Sequence, residues 1–134
     1  MKLSSAIPWA LLLSTATLDS TDGLPFKDKN LCGGFYEEEY GVILPYLGLH
    51  TECLWIINMD PGYKILLEVR HLYLNCDKES LEIIDGPPES SSSWKICEAS
   101  YVEYKSSTNI MTVRYTRKPN HPVSVFLLLF HRVL

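Results

Sequence analysis

The sequence predicts an all-β protein, an antiparallel β-sandwich, and three observations point there. Past the N-terminal leader, apolar residues recur mostly with a period of two, the spacing that puts them on one face of a strand. Turn-forming clusters punctuate these runs, Asp60-Pro61-Gly62 and Asp85-Gly86-Pro87-Pro88 being the clearest. Four cysteines, an even number, follow a secretory-type leader, which is the setting for a small fold held by disulfides.

The leader is residues 1–20. Lys2 supplies an early positive charge, an apolar run extends through Leu13, and the small residues Ser14, Thr15, Ala16 and Thr17 follow. A cut after Ser20 is one alternative, against which Leu18 at −3 is large, and Ala16 is a local competitor. The Ser20 cut leaves an N-terminal segment, 21–31, and one domain, 32–134. The cut removes Lys2 and Asp19, one charge of each sign, so the net charge of −4 persists. A mildly acidic chain is a poor general binder of nucleic acid. Hydrophobic residues at 46% with 21% charged residues describe a globular protein. After the leader no apolar run reaches the roughly 18 residues of a transmembrane helix, so the mature protein is expected to be secreted.

The strands follow in order. Residues 53–59 are β-branched and aromatic and run into the Asp60-Pro61-Gly62 turn. Beyond it Tyr63, Ile65, Leu67 and Val69 alternate with Lys64, Leu66, Glu68 and Arg70, an apolar face against a mixed one; the two runs read as a hairpin or as neighbouring strands. Leu72-Tyr73-Leu74 extends the second. Residues 80–84 form another strand, 89–93 a polar loop and 94–97 a short strand. From 109 to 115, Met111, Val113 and Tyr115 face one way and Ile110, Thr112 and Arg114 the other. Pro119 and Pro122 keep 117–122 out of a sheet interior. The apolar run 123–130 reads as a strand buried on both faces in preference to a core helix.

The cysteines Cys32, Cys53, Cys76 and Cys97 allow three pairings. Two equal gaps of 21 residues suggest first with second and third with fourth. Each bridge stabilises by roughly 3 kcal/mol in the loop-entropy model. A metal site is disfavoured, because there is no Cys-x-x-Cys and His50, His71, His121 and His131 lack ligand spacing. Paired sulfurs leave no catalytic thiol. Nucleophile elbows, zinc-protease motifs and phosphate loops are all missing. Asn30, Asn58, Asn75, Asn109 and Asn120 each fail the N-glycosylation sequon.

Several stretches carry a family resemblance. Cys32-Gly33-Gly34, Gly41-Val42-Ile43, Tyr46-x-Gly48, Cys53-x-Trp55-x-Ile57, Leu74-x-Cys76, 78–86, Lys95-Ile96-Cys97-Glu98 and 110–113 together resemble a CUB domain. Within that class the chain is similar to the spermadhesins, small secreted seminal-plasma proteins of one CUB domain. The resemblance implies a CUB-type, jelly-roll-like sandwich of two sheets and supports the disulfides Cys32–Cys53 and Cys76–Cys97. It implies a protein without enzymatic activity or cofactor that coats sperm, binds carbohydrate and sulfated glycosaminoglycans such as heparin, and serves fertilisation. Phospholipid headgroups, other seminal-plasma proteins and a second copy of the chain are further partners in such a family. A soluble growth-modulating factor is the rival reading, without a receptor-binding signature to support it.

Many CUB domains bind calcium through one carboxylate before the third cysteine, one three residues after it, and one beyond the strand near the C-terminus. Those positions fall here on Asn75, Glu79 and, approximately, Lys118. Calcium wants several oxygen ligands, and only Glu79 keeps a carboxylate. The expectation is no metal, with Glu79 a solvated loop residue beside Lys78.

Three surfaces are candidates for ligand contact. Arg114, Arg117, Lys118 and His121 form the dense basic cluster, suited to sulfate or carboxylate oxygens. Because the chain is acidic overall, polyanion binding must be local. Tyr101 and Tyr104 are the expected exposed aromatic pair for sugars or quaternary ammonium groups. Glu37, Glu38 and Glu39, between Tyr36 and Tyr40, read as a solvated edge, or as a contact for a basic partner.

Overall fold

The computed structural model describes residues 32–134; the expected leader 1–20 and the segment 21–31 lie outside the described residues. Among the described residues nine strands are formed: β1 (Gly34–Tyr36), β2 (Tyr40–Ile43), β3 (Glu52–Asn58), β4 (Lys64–Tyr73), β5 (Glu79–Ile84), β6 (Ser93–Ile96), β7 (Glu98–Lys105), β8 (Ile110–Arg117) and β9 (Leu127–Val133). They make a five-stranded sheet, β1-β3-β8-β5-β6, and a four-stranded sheet, β2-β9-β4-β7. Every pairing is antiparallel except that of the short β1 with β3.

The period-two pattern builds the core. Cys53, Trp55 and Ile57 of β3, Met111, Val113 and Tyr115 of β8, and Leu81 and Ile83 of β5 are buried from one sheet. Ile43, Ile65, Leu67, Val69, Leu128 and Phe130 meet them from the other. The register lines these residues up: Trp55 pairs with Val113, which pairs in turn with Ile83. Trp55 is the largest fully buried side chain, and truncating such a residue to alanine costs about 3–5 kcal/mol. Cys32 is bonded to Cys53 and Cys76 to Cys97. The second bridge ties the β4–β5 turn to the β6–β7 junction, where the Leu74 amide also donates to the Cys97 carbonyl at 2.7 Å.

Some expectations need correction. Residues 53–59 and 63–69 are neither a hairpin nor neighbouring strands: the turn at 60–62 carries the chain from β3 in the five-stranded sheet to β4 in the four-stranded one. The run 123–130 is not one strand: β9 begins at Leu127, and only its even-numbered residues Leu128 and Phe130 are fully buried, while Leu127 and Leu129 are half-buried. The preceding residues lie outside the ladder, and among them Ser124 donates to a buried carboxylate described below. Leu72 does extend β4, but with the inward phase shifted from odd to even residues. The shift occurs at His71, whose φ is 51°. Strands β1, β2 and β7 went unread, since they are short or expose most of their residues. Apolar periodicity is weak where neither face is deeply covered.

Candidate functional site

The end of the sandwich carrying the Cys76–Cys97 bridge is organised around Glu79. The Asn75 carbonyl accepts hydrogen bonds from the amides of Lys78 (2.8 Å) and Glu79 (2.7 Å), a tight turn that delivers Glu79 to the start of β5. Only 3% of the residue is exposed, so the expected solvated position beside Lys78 is wrong. Its carboxylate accepts from the Asn75 amide (3.0 Å), the Ser124 amide (3.0 Å), the Ser124 hydroxyl (2.6 Å) and the Tyr115 hydroxyl. His121 Nε2 lies 3.3 Å away. Burial alone would push this carboxyl up. The hydrogen bonds from the Ser124 side chain, Tyr115 and the two amides outweigh it and bring the pKa down to about 2. Burial and the bond to Glu79 push the Tyr115 hydroxyl up, so it stays a donor.

This arrangement bears on calcium. The Asn75 side-chain oxygen accepts from the Asp77 amide at 3.2 Å, and both Glu79 oxygens are engaged within the protein. The Lys118 amide donates to the Lys78 carbonyl at 2.8 Å, which places an ammonium-bearing residue at the third position. The residues at Asn75, Glu79 and Lys118 do not fit a hard dication.

The basic cluster is brought to the same region, but its groups are engaged. Arg114, on the outer face of β8, sits between Glu82 (3.0 Å) on β5 and Glu52 (3.2 Å) on β3. Arg117 donates to the backbone carbonyls of Gly48 (2.7 Å), His50 (3.0 Å) and His121 (2.8 Å), clamping the β2–β3 and β8–β9 loops together. His121 faces Glu79. Lys118 is exposed on the β8–β9 loop. Beside this clamp, Leu47 and Leu49 project from the β2–β3 loop, 73% and 93% exposed, along a groove that also includes Asn120 and His121.

Tyr101 and Tyr104 do not form an exposed pair, because β7 is a strand and places them on opposite faces. Tyr104 turns inward against the core, its ring 4.9 Å from that of Trp94. Tyr101 faces outward on the four-stranded sheet, opposite Arg70 of β4. The Arg70 guanidinium lies 5.5 Å from the Tyr101 ring centre and donates to Glu68 at 2.8 Å. The Tyr101 hydroxyl donates to Glu103, and that bond is the first cause holding its pKa above the ordinary phenol value. Glu68 and Glu103 are direct cross-strand partners. Arg70, Glu68 and Glu103 were missed because β7 was missed; the alternation of Tyr101, Glu103 and Lys105 with Val102 and Tyr104 is the signal that was available. In the acidic run Glu37, Glu38 and Glu39 are exposed, and Glu39 is paired with Arg132 at 3.2 Å.

Among the described residues no group of three or more His, Cys, Asp or Glu side chains is placed to hold a metal, and no helix is long and apolar enough to cross a membrane. Comparison with known proteins matches residues 32–130 to the CUB domain model. Spermadhesin Z13 of Bos taurus is 70% identical over 116 residues, covering 87% of this chain and 100% of the relative. The major seminal plasma glycoprotein PSP-I of Sus scrofa is 47% identical, covering 98% of this chain and 97% of the relative. The carbohydrate-binding protein AQN-3 of Sus scrofa is 39% identical, covering 80% and 92%. Among solved structures, the MASP-1 CUB2 domain bound to Ca2+ superposes with a TM-score of 0.61 at 17% identity, covering 75% of this chain and 99% of that one. That likeness is one of fold.

Proposed function

The chain belongs to the CUB domain family and, within it, to the spermadhesins, and on that premise we propose a secreted, non-catalytic carbohydrate-binding protein of seminal plasma that coats sperm and serves fertilisation. The observation that carries this reading is the similarity, over most of the chain, to relatives that include a seminal plasma glycoprotein and a carbohydrate-binding protein. The absence of any familiar catalytic motif in the sequence accords with it.

Sulfated glycosaminoglycan is the finer part of the proposal, and the geometry narrows it. Arg114 is neutralised by two carboxylates, Arg117 is engaged by backbone carbonyls and His121 faces Glu79. Lys118 is then the member of the cluster that meets sulfate. One exposed cation holds a polyanion weakly and yields to salt. The test is binding of the secreted chain to washed sperm and to a glycan array, with heparin retention followed against salt. Binding to sperm that soluble glycans compete away is the expected result. No glycan bound at millimolar concentration would overturn the reading.

A second reading, contact with phospholipid headgroups, is favoured by Leu47 and Leu49 standing exposed on a loop that Arg117 holds in place, in a groove that Arg117 itself helps to line. Apolar side chains flanked by a cation suit a membrane interface. Sedimentation with phosphatidylcholine vesicles tests it, and loss of binding in Leu47→Ser/Leu49→Ser would support it.

A further inference from the structure

We infer that Tyr101, Arg70, Glu68 and Glu103 on the outer face of the four-stranded sheet form a binding site for neutral hexose units, a proposal that rests on the carbohydrate reading above and names a ligand class and surface for it. Tyr101 is held at both ends. Its ring lies over the Arg70 guanidinium, 5.5 Å from ring centre to charge, and its hydroxyl is bonded to Glu103. Yet 50% of the residue stays exposed. A tyrosine fixed in this way offers ring surface to a ligand with little rotamer entropy left to lose. The C–H face of a hexose is the kind of apolar surface that packs on such a ring.

The polar rim matches hydroxyl groups. Glu68 and Glu103 stand directly opposite each other across β4 and β7, a like-charge pairing that is unfavourable in an empty sheet face. They supply carboxylate acceptors for hydroxyl donors, and Arg70 supplies a donor between them and the ring. Leu127 and Leu129, half-buried on β9, are the next cross-strand partners of Arg70 and Glu68 and add an apolar border.

The same groups exclude sulfated chains. Glu68, Glu103 and Arg70 sum to a formal charge of −1 around the ring, the guanidinium is already paired with Glu68, and Lys105, the next outward residue of β7, stands beyond Glu103 from Tyr101. A sulfate approaching the ring would meet repulsion from both glutamates. Neutral hexose binding here should therefore depend little on salt and should not be displaced by heparin.

The test uses the full secreted chain, isotopically labelled, titrated with methyl glycosides of glucose, galactose and mannose and, separately, with heparin. The expected result is saturable amide shifts centred on Arg70, Tyr101 and Glu103 with at least one neutral glycoside, unchanged by heparin. Tyr101→Ala should weaken that binding roughly tenfold or more, and Tyr101→Phe, which keeps the ring, should weaken it less. Both variants change an exposed side chain, and a melting curve checks that each is folded. Neutral glycosides that bind but ignore Tyr101→Ala would overturn this site and leave the carbohydrate reading standing. Binding of heparin alone would overturn the neutral ligand class. A chain that binds neither would overturn both.

Discussion

Ser124 donates twice to Glu79, through its hydroxyl at 2.6 Å and its backbone amide at 3.0 Å, across 45 residues of sequence. The pair joins the start of β5 to the segment leading into β9, and Tyr115 closes the arrangement from β8. The carboxyl is thereby held at about 2 in the folded protein, below its ordinary 4.5. A group that binds its proton more weakly when folded contributes stability above the unfolded value and loses it as pH falls through the folded one. The shift corresponds to about 3 kcal/mol. Stability should therefore be lost between about pH 4.5 and 2. Glu79→Gln should be destabilised by roughly that amount at neutral pH and show a flatter acid profile. Denaturant melts of both proteins from pH 7 to 2 measure it; equal acid sensitivity of the two would remove Glu79 from this role.

Chelation should leave the protein unmoved. The positions that could hold calcium carry an amide, a carboxylate already bonded within the protein, and a lysine. A bound metal stabilises a fold by mass action and its removal lowers the melting temperature. Here thermal melts with and without EDTA should coincide. A drop of several degrees on chelation would show a metal site of another composition.

Glu79 also shows where a reading of the sequence stops. The strands β3, β4, β5 and β8 were legible because each buries one face, so that Trp55, Leu67, Ile83 and Val113 recur at period two. The disulfide partners were suggested by equal spacing and the family resemblance. Nothing local to Lys78-Glu79-Ser80 reports that Ser124 will donate to that carboxylate, because the contact depends on sheet order. The same holds for the basic cluster. Arg114 and Arg117 are near neighbours in sequence, yet one points to carboxylates on flanking strands and the other to loop carbonyls. The partner of Tyr101 could not be named until β7 was set beside β4.

Heparin retention should discriminate among the basic residues. Arg114 lies between Glu52 and Glu82, so an arriving sulfate must displace carboxylates that are already in place. Arg114→Ala should leave the eluting salt concentration unchanged, whereas Lys118→Ala should lower it. Arg117→Ala should act differently again, freeing three loop carbonyls and raising hydrogen exchange across 47–51. If Arg114→Ala eluted as early as Lys118→Ala, the ion pairs of Arg114 would not be holding it from ligand.

Gly33 and Gly62 provide a matched pair for testing how tightly β1 is seated. Both have positive φ, 104° and 98°, so alanine at either carries backbone strain of roughly 1–2 kcal/mol. Their surroundings differ. A Cβ on Gly62 would meet nothing within 4 Å, since the Asp60-Pro61-Gly62 turn is open to solvent. A Cβ on Gly33 would clash with the carbonyl oxygen of Leu54, backbone of the strand to which Cys53 belongs. That oxygen cannot withdraw without shifting β3, and β3 is held by its ladder to β8 and by the Cys32–Cys53 bridge next to Gly33. Gly62→Ala should thus lose only the strain, about 1–2 kcal/mol. Gly33→Ala should lose more than twice as much, with the excess reflecting displacement of β1 from Trp55. Denaturant midpoints of the two variants measured side by side decide it, and equal losses would show that β1 yields without disturbing β3.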